Sequence, residues 1–302
     1  MVRILTIVGP TGVGKTRIAI DIAKRINGEI VSADSRQIYK FLDIGTAKPT
    51  PEERAEVIFH LIDLIEPDQS YSCGQYARDA ETKIAEIINR KAVPIVCGGT
   101  GLYIGALFSP LHSLPESDPV VKEKLIRELK KRDLDYLYQR LTAVDPEWAK
   151  KVKPQDKQRI LRGLEVYEIT GKPLSSLVRG KKPAPKYEPL YAGLYLSREE
   201  LYRQINQRFD RMIKNGFIDE VKAVLQKGYS PECNGLRTIG YKEMIAFLDG
   251  KMTLVDAIEK TKQSTRNFAK RQITWFNKLK EVKWFDAGTP CCKEMIKIFG
   301  NT

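Results

Sequence analysis

Gly9-Pro-Thr-Gly-Val-Gly-Lys-Thr16 decides the fold. It fits the pattern G-x-x-x-x-G-K-[ST], and its flanks are those a phosphate-binding loop needs. Before it, Arg3-Ile-Leu-Thr-Ile-Val8 is a short apolar run suited to a buried parallel strand. After it, Ile18, Ala19, Ile22, Ala23 and Ile26 recur with a helical period, and Asn27-Gly28 supplies a C-terminal cap. In such a strand-loop-helix unit the backbone from Gly9 through Pro10, Thr11, Gly12, Val13 and Gly14 wraps phosphate oxygens at a helix N-terminus. Lys15 adds a mobile charge and the Thr16 hydroxyl can hold Mg2+. The loop predicts a grip on the diphosphate or triphosphate end of a substrate without naming the molecule. ATP is the default ligand, and a kinase-like phosphotransferase using ATP is one reading.

Outward from the loop the alternation continues. Glu29 to Ala33 reads as a second strand, His60 to Ile65 as a third, and residues 74 to 91 as a helix. Val93 to Cys97 reads as a strand running into Gly98-Gly99-Thr100-Gly101. This predicts an α/β fold, a parallel sheet flanked by helices. Past Pro110 the strands stop. Asp118-Pro119 and Asp145-Pro146 each pair an N-cap with Pro at the first helical position, a helix from about Pro154 stops at Gly171, and 179–186 is a basic, Pro-rich linker. Strand texture resumes at Leu190 to Leu196, followed by a capping box from Ser197 and Glu200, a long helix from Thr253 to Lys280 and a strand-like Val282 to Phe285. The expected organisation is a phosphate-loop core of 1–115 and 189–302 around an all-helical insertion and linker, 116–188.

The formal charge of +13, from 51 Lys and Arg against 38 Asp and Glu, favours polyanionic partners, nucleic acid before free phosphates. No apolar run approaches the about eighteen residues of a membrane span, and Met1-Val2-Arg3-Ile4 leads into a strand without a secretory signal. Five cysteines without CxxC spacing read as reduced thiols of a cytoplasmic protein. His60 and His112 stand far apart and do not suggest zinc.

Nucleotide-hydrolysing relatives of this loop carry an Asp after an apolar strand to help bind magnesium. Here Val93 to Cys97 ends in Gly98-Gly99-Thr100 instead, and Asp63 is the substitute in view. Asp34, at the carboxyl edge of the second strand, stands where open α/β folds bind ligands. It reads either as a base or as a cap for the turn that begins with Ser35.

Four stretches taken in order, Gly9–Thr16, Asp34-Ser-Arg-Gln-Ile-Tyr39, Asp43-Ile-Gly-Thr-Ala-Lys-Pro49 and Gly98-Gly-Thr-Gly-Leu-Tyr103, closely resemble the bacterial tRNA dimethylallyltransferases. The likeness continues through Gln158-Arg-Ile-Leu-Arg162, Leu236-Arg-Thr-Ile-Gly-Tyr241 and Arg266-Asn-Phe-Ala-Lys-Arg-Gln-Ile-Thr-Trp275, and covers nearly the whole chain. The resemblance implies transfer of a dimethylallyl group from its diphosphate to N6 of the adenine 3′-adjacent to the anticodon. The loop then holds a departing, magnesium-bound diphosphate rather than ATP. It implies catalytic roles for Asp34 as base, for Thr16, for Thr100 in placing the adenine and the prenyl end, and for Arg208 near the diphosphate.

The target adenine must leave its stack to react, which calls for contacts along the anticodon stem-loop. The resemblance assigns tRNA contacts to Asp34, Ser35, Arg36, Gln37 and Thr100, to Gln158, Arg159, Ile160, Leu161 and Arg162, and to Arg237. Charge adds Lys122 and its basic neighbours through Arg132, and a stripe of Lys262, Arg266 and Lys270 on the long terminal helix, whose Phe268, Trp275 and Phe276 are expected to pack inward. The expected enzyme is a cytoplasmic monomer.

Overall fold

β1 (Val2–Val8) is buried on both faces from Ile4 onward, a demand only a central strand with helices on each side can meet. The computed structural model, which describes residues 1–112, 114–180 and 182–299, meets it with a parallel sheet. The chain divides into two compact units, residues 1–109 with 185–302, and residues 110–184. Lys181 of the basic linker lies outside the described residues.

The first unit begins with β1, α1 (Lys15–Ile26), β2 (Gly28–Ser32), α2 (Pro51–Glu56), β3 (Phe59–His60), α3 (Cys73–Asn89), β4 (Val93–Gly98) and α4 (Gly101–Phe108). The second holds α5 (Pro119–Lys131), α6 (Leu134–Val144), α7 (Pro146–Ala149), α8 (Lys157–Thr170) and α9 (Leu174–Leu177). The chain then returns through β5 (Tyr187–Tyr195), α10 (Arg198–Lys214), α11 (Phe217–Gln226), α12 (Tyr241–Leu248), α13 (Leu254–Phe276), β6 (Lys283–Asp286) and α14 (Cys292–Phe299). Among the described residues the sheet order is β3-β2-β4-β1-β5-β6, every pairing parallel. Among the described residues no helix is long and apolar enough to cross a membrane.

Alternation along β1 builds the layers. Leu5 and Ile7 pack with Ile18 and Ile22 of α1, while Ile4 and Val8 pack with Ile84 of α3 and Leu107 of α4. A third cluster gathers Ile38, Leu42, Phe217, Tyr241 and Met244, so the helices after β5 rest on the loop that follows Asp34. The helical unit has its own core of Leu125, Leu137, Leu141, Ile160 and Leu164. Asp118 and Asp145 cap their helices as expected, accepting from Val120 and Val121 and from Trp148.

Several local expectations are corrected. The third strand is only Phe59–His60, because Leu61 and Asp63 take left-handed φ of 61° and 57° and turn the chain out of the sheet. β5 starts at Tyr187, ahead of the apolar run, since β1 offers partners back to Val2. Ser197 caps α10, but Glu200 turns to Arg203 and Gln204 instead of closing the box. α13 ends at Phe276, short of Lys280.

At the amino end of the sheet Glu29 is buried, with one oxygen 2.6 Å from Arg90 Nε and the other 2.6 Å from His60 Nε2. The Arg90 guanidinium, more than His60, holds its carboxyl below the usual 4.5. A depressed folded-state value means that the stabilisation is present above the unfolded pKa and is lost as pH falls through the folded one. Glu29→Gln is therefore expected to cost about 2 kcal/mol at neutral pH, with wild type and variant converging below about pH 4. Thermal unfolding against pH checks this.

Candidate active site

Three neighbouring strands deliver the candidate residues to one edge of the sheet. β1 runs into the phosphate loop, β4 into Gly98-Gly99-Thr100, and β2 into Asp34. With parallel strands ~4.8 Å apart, the loop and Asp34 are separated by ~10 Å across β4, the span of a small substrate.

The loop turns through Gly9, Gly12 and Gly14 at φ of 146°, 88° and 95°. α1 has no side-chain cap, which leaves its first N–H groups for an anion. Lys15 Nζ folds back to donate to the carbonyls of Gly9 (3.0 Å) and Pro10 (2.8 Å). Burial pushes its ammonium from 10.5 down to about 8, against the pull of Asp34. Burial also lowers Arg208, on α10, whose Nη2 donates to Thr11 Oγ1 at 2.8 Å. Two half-buried cations beside an uncapped helix start make a site that an anion completes. Pro10 has no N–H and Val13 is buried, so these two shape the cradle. Cys97, pushed up to about 12 by burial, is a neutral wall beneath it.

Asp34 is half-buried, and its Oδ1 accepts from the Arg36 N–H at 2.8 Å. Thr100 precedes α4, yet its hydroxyl does not cap that helix. Thr100 Oγ1 instead accepts from the Ser35 N–H at 3.0 Å, while the Thr100 N–H donates to Ala33 O at 3.1 Å. Thr100 thus fixes the turn that carries Asp34. A cavity of about 1230 Å³ is shared by Thr11, Lys15, Thr16, Asp34 and Arg208, and its further wall is formed by Phe41, Ile44 and Met212.

Asp63, the substitute in view for a magnesium ligand, is held in ion pairs of the fold. Its oxygens are taken by Lys48 Nζ (2.5 Å) and Arg54 Nη1 (2.9 Å), and the buried Lys48 also binds Asp43. Among the described residues no group of three or more His, Cys, Asp or Glu could hold a metal ion.

Sequence reasoning missed two side chains that hold the site together. Gln272, buried on α13, accepts from the Thr11 N–H at 2.8 Å and donates to Gly99 O at 2.9 Å. Glu220 accepts from the N–H groups of Asp43, Ile44 and Gly45 and from the Tyr241 hydroxyl. Both act over long sequence separations, and neither has a local signature.

The RNA candidates fall into three groups. Arg36, Arg237 and Lys270 in the first unit, and Lys122, Gln158 and Arg159 in the second, have exposed side chains. Gln37 is occupied within the fold, bonding Ser32 and the carbonyl of Ala47. Ile160 is fully buried in the core of the helical unit, and Leu161 is partly buried against that core. Arg162 is turned to Glu165 and the Pro115 carbonyl. The terminal stripe is uneven, because Lys262 is paired to Asp210 and Glu259 and Arg266 donates to Asn206. In the helical unit Lys124, Arg127, Lys131, Arg132 and Arg140 line a hollow of about 670 Å³.

The phosphate loop thus faces the Asp34 carboxylate across β4, whose own end carries the Thr100 hydroxyl, an arrangement suited to a transferase that parts a substrate from its phosphates. Two family models match the chain, IPP transferase over residues 37–279 and isopentenyl transferase over residues 2–60. The tRNA dimethylallyltransferase of Carboxydothermus hydrogenoformans is 49% identical over 95% of this chain and 92% of its own. The crystal structure of the tRNA isopentenylpyrophosphate transferase from Bacillus halodurans superposes with a TM-score of 0.71 at 36% identity, covering 100% of this chain and 95% of that one. A eukaryotic dimethylallyltransferase acting on tRNA reaches a TM-score of 0.86 at 31% identity over 100% of this chain and 79% of its own. The chain belongs to the tRNA dimethylallyltransferase family, and it is a prenyltransferase rather than an ATP-using phosphotransferase.

The depressed Lys15 has a measurable consequence. Above about pH 8 burial leaves it largely neutral in the free protein, and a bound diphosphate raises its pKa, so binding takes up a proton there and ceases to do so as pH falls. Calorimetric titration with a prenyl diphosphate in two buffers of different ionisation enthalpy should show that uptake, and Lys15→Met should abolish it. Equal heats for the wild type in both buffers would contradict the assignment.

Proposed function

We propose that this chain transfers the dimethylallyl group of dimethylallyl diphosphate to N6 of the adenine 3′-adjacent to the anticodon in tRNA, with release of diphosphate. The observation that carries this reading is the single cavity in which Lys15, Thr16 and Arg208 face Asp34 across β4.

Lys15, Arg208 and the start of α1 bind the diphosphate and stabilise the charge it gains as the bond from oxygen to the prenyl carbon breaks. The electron pair stays with the leaving oxygen. The N6 lone pair is delocalised into the purine ring and attacks poorly unaided. Asp34 accepts the N6 proton as the new carbon–nitrogen bond forms, and Thr100 keeps the Asp34 turn in place through Ser35. Phe41, Ile44 and Met212 supply apolar wall to the same cavity.

The donor set suits Mg2+ bound through substrate. Thr16 would hold it together with diphosphate oxygens, because magnesium keeps most of its waters and needs few protein ligands. When bound, the ion neutralises charge on the diphosphate. Exposed Arg36, Lys122, Gln158, Arg159, Arg237 and Lys270 are the proposed tRNA contacts, weighted toward the phosphate backbone. The enzyme proposed is a monomer, and its tRNA substrate supports a cytoplasmic location.

Asp34→Asn keeps the shape of the turn and removes the base. Single-turnover transfer should fall about a hundredfold or more while tRNA affinity holds. An unchanged rate would reduce Asp34 to a residue that only shapes its turn.

A further inference from the structure

Trp275 does not pack inward. It leaves 43% of its surface in solvent, whereas Phe276 beside it is fully buried. The indole is nonetheless seated. A Cβ built on Gly101 would stand 2.3 Å from Cδ1, 2.3 Å from Nε1 and 2.6 Å from Cε2. Near-equal distances to three atoms of the five-membered ring put Gly101 over its face, an approach that only glycine allows. One face of the indole therefore rests on the residue after Thr100, and the open area belongs to the opposite face and rim. Leu102, the residue after Gly101, is itself 54% exposed.

The position of Trp275 is tied to the reaction centre. Gln272 lies one helical turn earlier, and its bonds to Thr11 and Gly99 pin α13 to both the phosphate loop and the Thr100 turn. Charge selects the partner. No Asp or Glu occurs between Glu259 and Glu281. Arg271 and Lys278, about one turn to either side of Trp275, are exposed and make no ion pair among the described residues. A flat apolar surface between cations that no carboxylate pairs with, Arg271 lying over the Phe268 ring, on a stretch of chain without acids, suits bases joined by phosphates better than a bilayer or an acidic protein.

We infer that Trp275 is a stacking platform for a nucleobase of the tRNA anticodon loop next to the target adenine, with Arg271 and Lys278 on the adjoining phosphates. The inference rests on the reading that Thr100 borders the adenine. Stacking selects flat bases of any sequence, so Trp275 positions the loop without reading it.

The test uses Trp275→Ala and Trp275→Phe with an anticodon stem-loop in which 2-aminopurine replaces, one at a time, the nucleotides flanking the target adenine. With Trp275→Ala the KM for tRNA should rise roughly tenfold or more, while prenyl diphosphate affinity and unfolding temperature stay at wild-type values. Trp275→Phe should restore most of the loss. The 2-aminopurine fluorescence should be quenched at one flanking position by wild type and not by Trp275→Ala. An unchanged KM for tRNA would overturn the inference, as would equal impairment of both variants with lowered unfolding temperatures, which marks a packing role. If Asp34→Asn proves fully active while Trp275→Ala still loses the fluorescence signal, the base assignment fails and the platform stands.

Discussion

Gln272 joins the two turns on which the chemistry depends. Its amide accepts from the phosphate loop at Thr11 and donates to the turn after β4 at Gly99, 261 and 173 residues away in sequence. Both bonds are neutral, the one to Gly99 is buried and the one to Thr11 partly so, and hydrogen bonds shielded from water are electrostatically stronger and costly to leave unmade. The separation between the leaving-group end and the acceptor end is therefore a property of the folded chain. Fixing such a separation in advance converts part of the entropy of bringing two reactants together into folding free energy.

Around that frame, charge is arranged in two ways. Lys15 and Arg208 are desolvated and mutually repulsive, so the pocket stores an electrostatic cost that a bound diphosphate offsets. The cations Lys48 and Arg54 are instead neutralised within the fold by Asp43 and Asp63, and Glu220 gathers three backbone N–H groups of the same loop. Those pairs hold the loop of residues 43–48 in shape. The remaining surface excess attracts a polyanion at long range without specifying its sequence.

Legibility in the sequence follows the range of the interactions. The phosphate loop, Asp34 at a strand end and the alternation of strands with helices rest on spacing within a few tens of residues, and they could be read directly. Thr100 was ambiguous because a hydroxyl before a helix usually caps it, and only the fold shows Ser35 within reach. Gln272 and Glu220 were invisible, since their partners lie far away along the chain. Charge patterns misled where pairing is internal, as for Lys262 with Asp210. Ile160 and Trp275 erred in opposite directions. Hydrophobic period marks a helix face, but the neighbour covering each residue is set by tertiary packing, and Gly101 leaves the indole partly uncovered.

The most direct measurement is to incubate the protein with undermodified tRNA, Mg2+ and dimethylallyl diphosphate labelled in its carbon chain, with ATP in a parallel reaction. Label is expected on N6 of the adenine beside the anticodon, with one diphosphate released per transfer and no requirement for ATP. Stoichiometric ATP turnover with no label entering any tRNA would contradict it.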